Sequence, residues 1–210
     1  MKIMVVVPII SEGVITFSRD RVEPYVRHDT KVDFINIEYG PASIESVYDD
    51  VLAAPFVVKK AEWAEKNGYD AVVVSCMMDP GVEAAKEAVD IPVVGPMEAA
   101  KSVAQLLGKN IVSIYPEGLT VLELSNDPKK TYDVLLANAK KALEDGADVL
   151  ILGCTGLTGY AKKLQKEIKV PVLEGEGLAL NLAQTMVDLN ISQSKKAYPK
   201  PADKKRILPD

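Results

Sequence analysis

The chain has 210 residues, of which 48% are hydrophobic and 26% charged, ordinary for a globular protein and enough to bury a core. A formal net charge of -5 and a pI near 5.1 exclude a broadly basic surface, so neither nucleic acid nor an anionic membrane is an expected partner and a small molecule is. With two cysteines far apart, no Cys-x-x-Cys and a single histidine, neither a zinc site nor a disulfide framework is expected.

From the N-terminus, Met1 to Pro8 carries only a short apolar run before Ser11 and Glu12, too short for a signal-peptide core and far below the ~20 apolar residues of a membrane span. It is expected to be a buried first strand of a cytoplasmic protein. Short Val- and Ile-rich runs predict strands over 2–8, 32–38, 70–75, 91–94, 110–114, 148–153 and 170–173. Segments of helical period between them predict helices near 45–67, 80–89, 96–108, 131–145, 158–168 and 175–189, bounded by Gly, Pro, Asp or Ser/Thr. This alternation is that of an α/β protein with parallel strands. The connections 9–31 and 115–130 are long enough to be functional loops, and the Lys-rich end, 195–210, is expected as an extended arm or a loose tail.

The chain also repeats itself. Gly68-Tyr69-Asp70-Ala71-Val72-Val73-Val74-Ser75-Cys76 aligns without a gap on Gly146-Ala147-Asp148-Val149-Leu150-Ile151-Leu152-Gly153-Cys154. After a one-residue insertion, Ile91-Pro92-Val93-Val94 falls opposite Val170-Pro171-Val172-Leu173, and Ala104-Gln105 opposite Ala183-Gln184. Two structurally similar halves follow, each carrying one cysteine at the same place.

In each half the cysteine stands at the carboxyl end of a buried strand, the edge at which parallel α/β sheets bind ligands. After Cys76, Asp79 is expected as a helix N-cap with Pro80 in the first turn; after Cys154, Gly156 and Gly159 allow close approach to the backbone and a threonine can cap the helix. N–H groups at such helix starts are expected to lower a thiol's pKa from about 8.5 and to hold an anion. A matched pair approaching one carbon from opposite sides is the arrangement that stereoinversion requires. One thiolate removes the proton, and the opposing thiol delivers another to the planar carbanion, with no metal or cofactor.

Other assignments fit these residues less well. A single cysteine is more often inert packing than catalyst, and a cytosolic disulfide between the two would be unusual. Gly153, Gly156 and Gly159 depart from the spacing of a dinucleotide fingerprint. His28 sits among charged loop residues as a solvated side chain, and Met77-Met78 suits a pocket wall or plain packing equally.

Gly40-Pro41-Ala42-Ser43-Ile44-Glu45-Ser46 with Ala53-Ala54-Pro55, Cys76 with Asp79-Pro80-Gly81, Ile91 to Gly95, Glu98-Ala99-Ala100, Leu152-Gly153-Cys154-Thr155-Gly156, and Ser194-Lys195 with Ala197-Tyr198 together resemble the aspartate/glutamate/hydantoin racemase superfamily, the hydantoin racemase branch in particular. The resemblance implies two pseudo-symmetric Rossmann-like lobes, each a parallel sheet flanked by helices, with the site between them; the first lobe would comprise 1–94 plus 175–210 and the second 95–174. It implies Cys76 and Cys154 as the acid/base pair, Pro8, Met77, Tyr115, Thr155 and Gly156 around the substrate, no cofactor, and a homo-oligomer. The substrate class it implies is a 5-substituted hydantoin or related amino-acid derivative, with a free acidic amino acid, a maleate-type diacid, or ligand binding without catalysis as alternatives. Two departures stand out. The family's first strand commonly ends in Asn-Pro-Asn-Thr, where this chain has Val7-Pro8-Ile9-Ile10, and its 115–130 segment is shorter than in hydantoin racemases.

Overall fold

A computed structural model describes residues 1–11 and 20–206. Strands and helices alternate through it: β1 (Lys2–Val7), β2 (Lys31–Asn36), α1 (Val47–Lys66), β3 (Ala71–Val74), α2 (Val82–Ala88), β4 (Val93–Val94), α3 (Pro96–Leu107), β5 (Ile111–Ile114), α4 (Pro128–Glu144), β6 (Val149–Leu152), α5 (Ala161–Ile168), β7 (Val172–Glu174) and α6 (Gly175–Asp188). All pairings are parallel and form two sheets, ordered β2-β1-β3-β4 and β5-β6-β7. The cysteine-bearing strands β3 and β6 are interior in both, with Val5 opposite Val73 in the first and Ile151 opposite Leu173 in the second.

The repeated Gly-x-Asp has a structural meaning. Gly68 and Gly146 both have positive φ, +72° and +95°, which a side chain at either position would strain. Asp70 then accepts the Lys2 N–H at 2.7 Å, and Asp148 accepts those of Lys109 and Asn110 at 2.9 to 3.0 Å. Each aspartate thus pins the start of the neighbouring strand, β1 or β5, and sets how far along the sheet the strand carrying its cysteine begins.

Core formation follows from the apolar strands. Val72, Val73, Leu150 and Ile151 are buried, each such side chain contributing about 1.5–3 kcal/mol. The two sheets are joined by α3 and α6, which pack on each other; α3 also lies against β6 and β7, and α6 against β3 and β4. Ala99 of α3 shares a buried cluster with Ala179 and Ala183 of α6, small side chains that let helices approach closely, while Ala100 and Ala104 of α3 pack in a cluster with Val149 and Ile151 of β6.

Several local expectations are corrected. Asp79 does not cap α2: it adopts φ +53°, α2 starts at Val82, and the Asp79 carboxylate instead accepts the Met97 and Glu98 N–H groups at the start of α3, at 3.0 and 2.9 Å. No threonine caps the helix after Cys154. The chain first makes a short 3-10 turn, Thr155–Leu157, and Glu174 serves as the cap of α5 by accepting from Gly159 and Ala161 at 2.9 and 2.8 Å. Helix α4 begins at Pro128, earlier than expected, because Asp127 accepts from Lys130 at 3.0 Å and Pro128 suits a first turn. The C-terminal arm is docked at its start, where Lys195 donates to the Lys86 carbonyl at 2.7 Å and Gln193 to those of Val89 and Ile91 at 3.0 and 2.9 Å; residues 199–206 are exposed.

Removing the Asp79 cap in Asp79→Ala is expected to lower stability by about 1–2 kcal/mol in urea unfolding. A change within a few tenths would show that the cap holds nothing together.

Candidate active site

A cavity of about 610 Å³ opens between the carboxyl ends of the two sheets. Its walls include all seven residues named from the sequence: Pro8 after β1, Cys76 and Met77 after β3, Tyr115 after β5, and Cys154, Thr155 and Gly156 after β6. Both long connections contribute, through Ile9 and Ser11 on one side and Leu119, Leu122 and Leu124 on the other. Residues 12–19 of the first connection lie outside the described residues. Val7 and Ile9, which stand at the two asparagine positions of the family's motif, form an apolar wall together with Pro8. Met77 belongs both to this wall and to a buried cluster with Ala100, Ala104, Val149 and Ile151, whereas Met78 is 42% exposed. His28 is exposed, and among the described residues no group of His, Cys, Asp or Glu is gathered to hold a metal ion.

Both cysteines are unbonded and half-buried, and each sulphur is met by the backbone N–H two residues further on. Gly156 N–H donates to Cys154 Sγ at 3.4 Å, and Met78 N–H serves Cys76 in the same way. The expected lowering of the thiols is nevertheless reversed. Burial pushes Cys76 up to about 12, and charge on Cys154 adds to the rise, against the Met78 N–H. Burial likewise pushes Cys154 up to about 11, against the Gly156 N–H and the positive charge of Arg21. Desolvation therefore outweighs the N–H groups, and both sulphurs rest as thiols.

A polar layer behind the cavity, unforeseen from the sequence, links the two sheets. Glu176, at the first turn of α6 and 1% exposed, accepts from Ser75 Oγ at 2.5 Å through one oxygen and meets Thr158 Oγ1 at 3.4 Å with the other. Thr155 Oγ1 reaches the Ser75 carbonyl at 3.4 Å, and Arg21 donates to the Gly156 carbonyl. Neighbouring Glu174 accepts Tyr25 OH at 2.6 Å. Burial raises Glu176 to about 7, opposed by the Ser75 hydroxyl and by Arg21. Glu174-Gly175-Glu176 directly after a strand was a visible signal for these carboxylates; Arg21, in a long loop, carried none.

This geometry sets the chain beside known proteins. The Asp/Glu/Hydantoin racemase family model matches residues 18–115 and 113–183. The chain belongs to this family. A hydantoin racemase of Paenarthrobacter aurescens is 33% identical over 236 residues, covering 99% of this chain and 100% of that protein. One from Pseudomonas sp. (strain NS671) is 32% identical over 235 residues, covering 99% and 94%. The solved allantoin racemase of Pseudomonas fluorescens superposes with a TM-score of 0.92 at 27% identity, covering 99% and 100%. The protein is a racemase of this family, and its two parallel sheets flanked by helices are the family's fold.

The raised Glu176 carboxyl also bears on stability. Its contribution is fully present below the ordinary glutamate value of 4.5 and is lost as the pH rises through about 7. Glu176→Gln, which keeps the shape without the charge, is expected to melt above the native protein at about pH 8, with the gap closing toward about pH 5. A variant that melts lower at both pH values would mean that the site stabilises the carboxylate instead.

Proposed function

We propose that Cys76 and Cys154 invert a carbon alpha to a carbonyl by cofactor-independent proton transfer, one as thiolate base and the other as thiol acid, on a 5-substituted hydantoin or a related amino-acid derivative. The observation that carries this reading is the equivalence of the two cysteines: each ends the interior strand of its own sheet, each has an N–H two residues on, and both line one cavity. A substrate lying between them offers its two faces to two different sulphurs. The reaction balances without a co-reactant, since one proton leaves the carbon for one sulphur and another reaches the carbon from the opposing sulphur.

Thr155 lines the cavity beside Cys154, and its backbone N–H is the donor we assign to an enolate-like intermediate, since such donors act strongly where water is excluded; the Gly156 N–H is engaged by Cys154 Sγ. Tyr115 OH donates to the Leu119 carbonyl at 3.0 Å, so its oxygen is left as an acceptor for a ring N–H, and burial raises its pKa so that it stays neutral. Val7, Ile9, Ile44, Leu119, Leu122 and Leu124 suit an alkyl or aryl substituent better than a ureido group, whose polar atoms they would leave unpaired. The similarity to hydantoin racemases along nearly the whole chain supports the same substrate class. We place the reaction in the cytoplasm, in a homo-oligomer.

Racemisation of single-enantiomer 5-benzylhydantoin, followed by optical rotation, is expected to exceed the enzyme-free rate and to exceed the rate with allantoin. Cys76→Ser and Cys154→Ser are each expected to reduce it by about 10²–10⁴. Full activity in either variant would eliminate the two-thiol mechanism, and no rate above the blank would eliminate the substrate class.

A further inference from the structure

Ser75 lines the cavity directly beside Cys76, and Glu176 lies behind it, fully buried and out of reach of any substrate. Its hydrogen bonds indicate which protonation state the packing accepts. Thr158 Oγ1 has one proton and gives it to the Thr155 carbonyl at 2.7 Å. Toward Glu176 Oε2, 3.4 Å away, it therefore presents a lone pair, which is satisfied when that carboxyl oxygen carries a proton. Ser75 Oγ donates to the other oxygen at 2.5 Å. Neutral Glu176 thus accepts from the chain just before Cys76 and donates to the chain just after Cys154. It ties the two cysteine loops together across the sheets.

We propose that Glu176 is a positioning residue that holds the two cysteine loops while neutral and, once ionised, keeps the Cys154 thiol protonated. This rests on the assignment of the two thiols as the acid/base pair and makes them inequivalent. Negative charge on Glu176 raises Cys154, and Arg21, bonded at Gly156, lowers it. Among the described residues, the other charged or titratable groups that reach Glu176 are Arg21 from the segment before the Glu23–Tyr25 turn and Glu174 from the end of β7. On the remaining elements packed against α6, Tyr25 gives its hydroxyl to Glu174, Glu98 of α3 pairs with Lys86, and β3 and β4 present no titratable side chain. Burial with partial compensation makes ionisation of Glu176 fall near neutrality, so the coupling operates where the enzyme works.

The test needs no substrate. The rate of Cys154 alkylation by iodoacetamide is measured against pH in a Cys76→Ser background, with and without Glu176→Gln. The ratio of the Gln variant to its parent is expected to be about one near pH 6, where Glu176 is neutral, and to rise to about ten near pH 9, where it is charged. Cys76, followed in a Cys154→Ser background, is expected to give the smaller ratio near pH 9. A ratio for Cys154 that departs from one equally at every pH is what a purely structural role produces and would overturn the proposal, as would a ratio of one at all pH. Arg21→Gln provides a second readout should Glu176→Gln not fold. It retains Glu176 and is expected to move the bend in the Cys154 profile from about pH 7 to higher pH, and an unmoved bend would overturn the proposal. Absence of racemisation alongside these shifts bears on the two-thiol mechanism alone and leaves the coupling of Glu176 to Cys154 standing.

Discussion

The site depends on the packing of α3 and α6. Each helix leaves a strand of one sheet and packs on the other, α3 on β6 and β7, α6 on β3 and β4, so the two parallel sheets are locked with their carboxyl ends facing one cavity. Larger residues at Ala99, Ala179 or Ala183, or at Ala100 and Ala104 beside Val149 and Ile151, would overfill these buried clusters and change the spacing of the two cysteine loops. Asp70 and Asp148 act at the other end of the same strands, where each fixes the start of a neighbouring strand. The position of each sulphur is therefore set twice, once by strand register and once by helix packing.

What was legible in the sequence was what is local and periodic. Val- and Ile-rich runs marked the strands, and the gapless match from Gly68 to Cys76 with Gly146 to Cys154 exposed both the repeat and the shared cavity edge. What was not legible was the long-range use of polar side chains. Asp79 looked like a cap for its own helix and in fact caps α3; the cap of α5 comes from Glu174 across a loop. Carboxylates satisfy whichever N–H groups the tertiary fold brings to them, and spacing along the chain does not reveal that choice. Gln105 and Gln184 teach the same lesson, since they match in the repeat yet Gln105 is exposed, whereas buried Gln184 accepts from Arg27 N–H and donates to the Tyr25 carbonyl.

In the proposed reaction an apolar cavity suits thiols, since burial keeps them protonated at rest and makes the thiolate, once formed, a stronger base. Two neutral sulphurs cost less to desolvate than two charges, and the proposal needs only one thiolate in each turnover. Enantiomers are equal in free energy, so kcat/KM must be the same in both directions at every pH. Any inequivalence imposed on Cys154 by Glu176 and Arg21 then shows in how kcat and KM divide, and in the ionisation of each sulphur, never in the equilibrium reached.

The central claim is that the two thiols address opposite faces of one carbon, and hydrogen exchange in the single-cysteine variants tests it directly. In D2O, Cys76→Ser is expected to exchange the ring C–H of one enantiomer of 5-benzylhydantoin without inverting it, and Cys154→Ser to exchange only the other enantiomer. Exchange of the same enantiomer by both variants, or inversion by either at the native rate, would contradict the account.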